Sequence, residues 1–242
     1  MSQPTAFVTG AAQGIGLATV ARLARDGFRV VAMDRHAERL QAAVSALRAD
    51  GLDIVAAVCD VCDRASVTAA FDAQPRVDAL VCAAGIYNDA RFLDLTEAAF
   101  RSMLEVTVIG TFIPAQEAAR RMQAGGRIVT ISSRGALGGT RFAHYVASKS
   151  AVIGLTRAMA MELRERQIAV NSVAPGFTDT PMTRSAPAEM FAAWEQLEPG
   201  GRAASPDVIA NAIAFLAAPS TQFITGQTLF VDGGKSLGGL GI

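Results

Sequence analysis

The stretch that decides the fold is Ala6-Phe7-Val8-Thr9-Gly10-Ala11-Ala12-Gln13-Gly14-Ile15-Gly16. Its first four residues have the apolar character of a buried strand, and residues 15–26 have the apolar spacing of a helix. Glycines between a strand and a helix let backbone N–H groups approach a pyrophosphate, which the helix N-terminus also attracts. The spacing T-G-x-x-x-G-x-G differs from G-x-G-x-x-G, so the turn by itself also fits an ordinary glycine-rich turn.

The rest of the chain repeats this alternation of short apolar runs and longer helical stretches. Further strands are predicted at residues 28–33, 54–58, 77–82, 127–131, 168–173 and 228–231. Further helices are predicted at residues 37–49, 96–122, 144–166 and 206–217. Such a pattern implies a parallel sheet covered by helices on both faces. We therefore predict an α/β protein, a doubly wound Rossmann fold with a mostly parallel seven-stranded sheet, as a single domain over residues 1–242.

Two proline-containing segments are expected to depart from regular structure. Pro114 lies inside the predicted helix 96–122, where the missing N–H predicts a kink. Residues 181–200 contain three prolines and run into the pair Gly200-Gly201. This composition predicts a mobile insertion that acts as a substrate loop.

Composition limits the classes of function. The chain has 242 residues, of which 51% are hydrophobic, and its 22 basic and 22 acidic residues balance. This balance gives no indication of a nucleic-acid or charged-membrane partner. We expect neither a signal peptide nor a membrane span, because no charged start is followed by a long apolar run.

The three cysteines, Cys59, Cys62 and Cys82, predict a reducing, cytoplasmic location. Cys59 and Cys62 have C-x-x-C spacing, but a metal site would need a second pair of ligands. The sequence offers only Cys82, His36 and His144 for that purpose, so no metal is expected.

A carboxylate ends the second predicted strand. Asp34 at this place can accept hydrogen bonds from adenosine ribose hydroxyls and would repel a 2′-phosphate. Arg35 could in principle meet a phosphate, but Ala11-Ala12-Gln13 gives the turn no second basic residue, so NAD is the predicted cofactor. Asp60, after the third strand, is placed either to contact the adenine edge or to cap the next turn.

Tyr145 and Lys149 lie four residues apart in a predicted helix and therefore on one face. A cation at Lys149 favours the phenolate and predicts a lowered pKa for Tyr145, which suits proton transfer near neutral pH. The strand before them ends in Ile131-Ser132-Ser133, where a serine hydroxyl can hold a substrate oxygen. Tyr-x-x-x-Lys is common on helices, so it indicates a catalytic site only in combination with the serine at the end of the preceding strand.

In this order the motifs resemble the short-chain dehydrogenase/reductase family over essentially the whole chain. The later matching stretches are Asn171-Ser172-Val173-Ala174-Pro175-Gly176, Thr225-Gly226-Gln227 and Val231-Asp232-Gly233-Gly234. The resemblance implies an NAD(H)-dependent oxidoreductase that moves a hydride to or from an alcohol or ketone carbon. It implies a cofactor site formed by Gly10, Gln13, Gly14, Ile15, Gly16, Asp34, Arg35, Asp60, Val61, Ala84, Gly85, Tyr145, Lys149, Pro175, Gly176, Phe177, Thr178 and Thr180.

The resemblance also implies the catalytic roles. Tyr145 is the acid/base, Lys149 holds the nicotinamide ribose and lowers the tyrosine pKa, and Ser133 orients the substrate oxygen. Ser132 is the less favoured candidate for that last role. The interval from Ser133 to Tyr145 is one residue shorter than in many members, which indicates a trimmed loop.

Two stretches depart from the family pattern. Cys82-Ala83-Ala84-Gly85 replaces an asparagine-rich stretch, and Val106-Thr107-Val108-Ile109-Gly110 has Thr107 where relatives have an asparagine that holds a water beside the lysine. Thr107 either holds that water together with a backbone carbonyl or merely packs.

The expected substrate is a small, partly hydrophobic alcohol or ketone, with a cyclic or ring-diol acid as one option. Candidate contacts are Tyr87, Arg134, Leu137, His144, Phe177, Met182, Met190, Phe191 and Trp194. Gly176–Met182 resembles relatives that oxidise dihydrodiol ring acids, in which case Arg134 or Arg141 would meet a carboxylate; a surface arginine is the alternative.

Two other functions remain open from the sequence. One is a cofactor-binding scaffold or sensor with poor turnover, which the missing asparagines favour and the Ser/Tyr/Lys set opposes. The other is an NADP-dependent ketone reductase, which Asp34 opposes. Relatives that resemble this chain are commonly homotetramers, and we expect the same assembly here.

Overall fold

Seven strands form the core of the computed structural model, which describes residues 3–238. They are β1 Thr5–Thr9, β2 Arg29–Asp34, β3 Ile54–Val58, β4 Ala79–Cys82, β5 Arg127–Ile131, β6 Ala169–Pro175 and β7 Thr228–Val231. All neighbouring strands pair in parallel, in the order β3-β2-β1-β4-β5-β6-β7. The predicted doubly wound Rossmann fold is therefore confirmed. Met1-Ser2 and the end of the glycine-rich C-terminal segment, residues 239–242, lie outside the described residues.

Nine α-helices connect these strands within residues 3–238. They are α1 Gly14–Arg25, α2 Ala37–Ala49, α3 Arg64–Asp72, α4 Glu97–Leu104, α5 Gly110–Arg121, α6 Ala143–Leu163, α7 Pro181–Arg184, α8 Ala188–Gln196 and α9 Pro206–Ala217. The strand order reverses between β1 and β4, so the connections from these two strands diverge and leave a crevice at their carboxyl ends. Ligands of open α/β sheets bind in such a crevice.

The two faces of the sheet bury separate apolar clusters. Alternate residues of a strand point to opposite faces, so Val8 belongs to one cluster and Phe7 to the other. The first cluster includes Leu23 of α1 and Ile213 of α9. In the second, Phe7 stacks on Phe71 of α3 with ring centroids 4.3 Å apart. Burial on both faces explains why the strands read as nearly continuous apolar runs.

Helix α3 is a correction to the sequence analysis, which assigned no helix between β3 and β4. Only Val67, Ala70 and Phe71 of this short helix are buried, so its apolar stripe is too brief to give a clear periodic pattern. Its N-terminus is marked by Asp63, whose side chain accepts a hydrogen bond from the backbone N–H of Ala65 at 3.0 Å.

The predicted helix 96–122 is interrupted before its proline. A π-helical turn, Glu105–Ile109, separates α4 from α5, whereas Pro114 lies within α5. Single π-helical turns inside α-helices are frequently found at functional sites. The irregularity that the sequence analysis assigned to Pro114 is therefore found about two turns earlier, around Thr107.

The predicted insertion 181–200 contains regular structure that the sequence analysis did not assign. Helices α7 and α8 occupy most of it. Thr180 caps α7 and Thr183 completes a capping box, with Pro181 at the first helical position. One of the prolines that suggested an irregular loop, Pro181, is here a signal of a helix start.

The helical stretch Glu97–Arg121 is long and apolar enough to pass a test for a membrane-spanning helix by length and composition alone. A core helix passes the same test, and Ile113, Ala115 and Ala118 of this stretch are buried in the second apolar cluster. The length and composition of this stretch are therefore only weak evidence for a membrane span.

Candidate active site

A cavity of about 310 Å³ opens at the crevice where the strand order reverses. It brings together residues from the first turn, the ends of β2 and β3, and the segment after β4. The predicted residues that line it are Gly10, Gln13, Asp34, Arg35, Asp60, Val61, Ala84 and Gly85. Residues of the lining that the sequence analysis did not assign to the cofactor include His36, Arg39, Cys59, Cys62, Ala83, Ile86 and Val106.

The glycine-rich turn leaves no room for side chains where a cofactor phosphate would approach. Gly10 has φ of +65°, and a Cβ there would lie 2.8 Å from the Cα of Ala84. A Cβ on Gly16 would lie 2.1 Å from the carbonyl oxygen of Gly10, so the first turn of α1 packs directly on the end of β1. These contacts, together with the cavity beside them, fit a bound dinucleotide. Ile15, by contrast, packs its side chain against the first apolar cluster.

Both carboxylate oxygens of Asp34 are held by the backbone. Oδ2 accepts a hydrogen bond from the N–H of Ala12 at 3.1 Å, and Oδ1 accepts one from the N–H of His36 at 2.9 Å. The carboxylate is thereby fixed at the rim of the cavity, as a ribose-binding group requires.

A second basic residue does reach the glycine-rich turn, contrary to the sequence analysis. Arg39, in the first turns of α2, donates a hydrogen bond from Nη1 to Oε1 of Gln13 at 2.9 Å. Arg35 and Arg39 therefore both line the cavity beside Asp34. The sequence does place Arg39 on the predicted helix that follows β2. That this helix packs beside the glycine-rich turn is seen only in the fold.

Asp60 has one of the two roles that the sequence left open, the cap of the next turn, and the contact with the adenine edge stays a prediction. Asp60 Oδ1 accepts a hydrogen bond from the N–H of Cys62 at 2.9 Å, which caps the turn, and the residue also lines the cavity. Cys59, Cys62 and Cys82 are free. Burial, followed by the charge of Asp60, raises the pKa of the Cys62 thiol to about 11, so this thiol stays protonated near neutral pH. No group of three potential metal ligands is found among residues 3–238.

The serine, tyrosine and lysine of the predicted catalytic set come from β5 and α6. Tyr145 and Lys149 lie on consecutive turns of α6, and Ser133 follows the end of β5. Burial raises the pKa of the Tyr145 phenol, and a hydrogen bond with the Ser133 side chain opposes that rise. Ser133 Oγ also accepts a hydrogen bond from the N–H of Gly135 at 2.9 Å.

Ser132 has a different environment. It is buried, and its hydroxyl donates to the carbonyl oxygen of Lys149 at 2.9 Å. This bond ties β5 to α6 and occupies the hydroxyl. The geometry therefore places Ser133, and not Ser132, against the phenol.

The predicted lowering of the Tyr145 pKa by Lys149 is wrong for the protein without cofactor. Lys149 is buried and donates from Nζ to the carbonyl oxygen of Ile131 at 2.8 Å, and burial lowers its own pKa to about 8. Nζ lies 5.7 Å from the centroid of the Tyr145 ring. Desolvation is therefore the largest effect on the pKa of both groups. The burial that causes it cannot be predicted from the spacing of two residues in a sequence.

Thr107 lies in the π-helical turn and is buried. Its hydroxyl contacts the sulfur of Met103 at 3.7 Å, and its carbonyl oxygen accepts a hydrogen bond from the Thr111 hydroxyl at 2.7 Å. A thioether is a weak acceptor, so the hydroxyl retains hydrogen-bonding capacity.

The segment after β6 lies beside the glycine-rich turn without lining the main cavity. Pro175 ends β6, and the N–H of Gly176 donates to the carbonyl oxygen of Val231 at 2.9 Å. Thr178 donates from Oγ1 to the carbonyl oxygen of Gly176 at 3.1 Å. The Thr180 side chain lies 3.4 Å from the position that a Cβ on Gly14 would take, so α7 begins next to the turn.

Aromatic rings surround Tyr145. The ring centroids of Tyr87 and Phe142 lie 5.2 Å and 6.1 Å from that of Tyr145, both in edge-on arrangements. Phe177 packs with Phe191 and Trp194 at centroid distances of 5.0 Å and 5.7 Å. Of the other predicted substrate contacts, Met182 lines the cavity, whereas Leu137 and Met190 are exposed.

The loop after β4 is fastened to the start of α6 by contacts that the sequence analysis missed. Asn88 Oδ1 lies 2.5 Å from Nε2 of the buried His144. Arg141 forms an ion pair with Asp89, N···O 2.9 Å, and its carbonyl oxygen accepts from the N–H of Ala90 at 2.7 Å. No sequence spacing predicts such bonds, because they join a loop to residues at and just before the start of α6, more than 50 positions away in the chain.

Comparison with known proteins agrees with this geometry. The family model described as enoyl-(acyl carrier protein) reductase matches residues 10–236. A short-chain dehydrogenase/reductase structure from Serratia marcescens has a TM-score of 0.90 and 38% identity, covering 96% of this chain and 98% of that one. The chain belongs to the short-chain dehydrogenase/reductase family. It is thus a member of an oxidoreductase family that binds nicotinamide cofactors.

Members of known activity are also similar over their full length. A (2S)-[(R)-hydroxy(phenyl)methyl]succinyl-CoA dehydrogenase subunit of Thauera aromatica is 39% identical, with 96% of each chain covered. Cis-4-hydroxycyclohexanecarboxylate dehydrogenase of Sinomonas cyclohexanicum is also 39% identical, again with 96% of each covered. An actinorhodin polyketide ketoreductase solved with NADPH has a TM-score of 0.90 and 32% identity, covering 97% of both chains. The short-chain dehydrogenases and reductases like this chain therefore act on hydroxyl or keto groups.

Proposed function

We propose that the protein is an NAD(H)-dependent oxidoreductase that interconverts a small, partly hydrophobic alcohol and the corresponding ketone. The observation that carries the proposal is that Ser133 Oγ and the Tyr145 ring meet beside Gly135, with Lys149 one helical turn from Tyr145. This set lies next to a cavity that fits a dinucleotide, so a proton can be transferred at the substrate oxygen while a hydride is transferred at the carbon that bears it.

Each residue of the set has a separate task. In the oxidation direction Tyr145 takes the proton of the substrate hydroxyl, while the Ser133 hydroxyl holds the same oxygen in place. Lys149 would bind the nicotinamide ribose. The nicotinamide, when bound, accepts the hydride from the carbinol carbon or supplies it to the carbonyl carbon.

NAD is the proposed cofactor because Asp34 is fixed at the place where the adenosine ribose would lie. A 2′-phosphate there would face this carboxylate. Gly14, Ile15 and Gly16 would offer the start of α1 to the pyrophosphate, and Pro175, Gly176, Phe177, Thr178 and Thr180 would enclose the nicotinamide.

An NADP-dependent ketone reductase is the second candidate. Arg35 and Arg39 both line the cavity beside Asp34 and would attract a phosphate. The structurally similar actinorhodin polyketide ketoreductase was solved with NADPH, which supports this second candidate. The scaffold or sensor hypothesis rests on the missing asparagines alone.

The experiment that tests the proposal is steady-state turnover of cyclic and open-chain alcohols and ketones with NAD and with NADP. The panel includes cis-4-hydroxycyclohexanecarboxylate, because one relative is named for its oxidation. Turnover with NAD supports the proposal, turnover with NADP alone favours the reductase, and binding of cofactor without any turnover favours the scaffold.

We also propose a homotetramer, and keep the cytoplasmic location as a prediction. Large apolar side chains are exposed on helices and on the edge strand β7, including Ile109, Met161, Phe215 and Leu229. Exposed apolar surface of this extent is typical of protein interfaces. Light scattering at micromolar concentration tests the assembly, and a monomer would contradict it.

A further inference from the structure

We infer that Arg134 binds a carboxylate of the substrate, so that the alcohol or ketone is a hydroxy acid or a keto acid. This inference rests on the proposed function and specifies its substrate class. Arg134 immediately follows Ser133 and begins the 3₁₀ turn Arg134–Leu137.

The position of Arg134 beside the reacting groups is fixed by its neighbours. Ser133 Oγ accepts a hydrogen bond from the N–H of Gly135, and Ser133 lowers the pKa of the Tyr145 phenol against the effect of burial. A Cβ on Gly135 would lie only 3.3 Å from Cε1 of Tyr145, so the backbone on either side of Arg134 packs against the catalytic pair. Arg134 therefore lies, along the backbone, between two residues that contact the catalytic pair.

The guanidinium of Arg134 has no partner within residues 3–238. Its Nε is buried without a hydrogen-bond partner, and no ion pair to a carboxylate of this chain is formed. An arginine carries its positive charge permanently and has five N–H donors in a planar fork. Most buried polar groups in folded proteins are satisfied, so the buried, unpaired Nε of an arginine next to a catalytic serine leaves a charged donor available for an anion.

Arg141, which lies in the same segment between Ser133 and Tyr145, is excluded as the anion-binding group. Arg141 is paired with Asp89 at 2.9 Å and fastens the loop after β4. Arg35 and Arg39 belong to the cofactor end of the cavity. Of these arginines, Arg134 is the one that directly follows Ser133.

The surrounding surface indicates what the rest of the substrate is. Tyr87 and Phe142 present aromatic rings around Tyr145, which suits an apolar ring or short chain between the two polar ends. The hydroxyl would lie at Ser133 and Tyr145, and the carboxylate would accept two parallel N–H bonds from Arg134. Oxidation leaves the carboxylate unchanged: the carbinol carbon loses a hydride to NAD⁺ and its oxygen loses a proton to Tyr145.

The experiment uses the hydroxy acids of the panel, each as the free acid and as its methyl ester. It measures kcat and KM for the wild type, Arg134→Gln and Arg134→Lys. We expect wild-type kcat/KM to favour the acid by about 100-fold, mainly through KM, because the ester cannot form the charged pair. Arg134→Gln should reduce this preference to within a few-fold, Arg134→Lys should retain part of it, and all three proteins should use the ester similarly.

Two controls keep the result specific. Arg25→Gln removes an exposed arginine at the end of α1, far from the crevice, and should keep the acid preference. Cyclohexanecarboxylate, which cannot be oxidised at a hydroxyl, should bind to the wild-type protein with NAD in calorimetry and bind at least 10-fold more weakly to Arg134→Gln.

The outcomes separate this inference from the proposed function. If esters are turned over but the acid preference is absent, or survives in Arg134→Gln, the inference is wrong while the proposed function stands. If Arg134→Gln changes the oligomeric state and not KM, the guanidinium serves a contact between copies, and the inference is again overturned. If neither acids nor esters are turned over with either cofactor, the proposed function itself fails.

Discussion

Lys149 donates a hydrogen bond from Nζ to the carbonyl oxygen of Ile131, and the backbone of Lys149 accepts one from Ser132 in return. Two bonds thus join the end of β5 to α6 at the level of the catalytic set. They hold Ser133 and Tyr145 at a fixed separation before any ligand enters, which is the pre-organisation that proton transfer requires.

The first prediction concerns the charge of Lys149. Burial lowers its pKa from 10.5 to about 8 in the cofactor-free protein, and Lys149 and Lys235 are the only lysines in the sequence. Selective ¹³C labelling of lysine should therefore give two side-chain signals, of which the one absent in Lys149→Met titrates near pH 8. Between that value and the ordinary one the unfolded chain binds more protons, so this group makes stability rise with pH there. A Lys149 signal that titrates at the ordinary value would show that the amine is not desolvated.

The second prediction concerns cofactor choice. Asp34→Ala removes the carboxylate that would face a 2′-phosphate and leaves Arg35 and Arg39 in place. Binding of NADP should improve by about 10-fold or more, since a like charge at short range is removed, and binding of NAD should weaken. Adding Arg39→Gln should reverse most of the gain for NADP. The NAD assignment would be untenable if the wild type bound NADP as tightly as NAD in a fluorescence titration.

The third prediction concerns Thr107. If its hydroxyl holds the water beside Lys149, Thr107→Val should slow turnover by roughly 10-fold, because the replacement has no hydrogen-bonding group. Thr107→Asn should then be tolerated or faster, and NAD affinity should change little in both variants. The measurement is steady-state turnover across pH. An unchanged pH–rate profile in Thr107→Val would assign the residue to packing against Met103.

The fourth prediction concerns the loop after β4. Asn88→Ala removes the partner of His144 Nε2, whose other ring nitrogen, Nδ1, is already buried without a partner. We expect KM for the substrate to rise about 3- to 10-fold with a smaller change in kcat, in proportion to one lost hydrogen bond. Ser45→Ala, which breaks a side-chain bond to Gln41 on α2, is the matched control. A fall in kcat with KM unchanged would mean that the loop acts on the chemical step instead.

Much of the fold was predictable from residues that act locally. The apolar runs of the strands and the turn from Thr9 to Gly16 determine a parallel sheet, because such strands must be buried on both faces. Ser133, Tyr145 and Lys149 were also named from the sequence, through the spacing of one helical turn between the tyrosine and the lysine, the serine at a strand end and the resemblance to the family. Helix α3 was missed because only three of its residues are buried.

The remaining features depend on contacts between distant elements. Arg39 reaches Gln13 only because α2 packs beside the first turn, and Asn88 reaches His144 only because two loops meet over the crevice. The pKa of Tyr145 was predicted with the wrong direction, because desolvation depends on burial and outweighs a charge inferred from spacing alone.

The most direct test of the account is Tyr145→Phe, measured as steady-state kcat with NAD together with NAD affinity. The substitution removes the phenolic proton and leaves the ring, and with it the contacts to Tyr87 and Phe142. We predict a loss of kcat on the order of 100-fold or more, with NAD affinity and the circular dichroism spectrum nearly unchanged. A variant that retains most of the wild-type activity would contradict the assignment of Tyr145 as the acid/base.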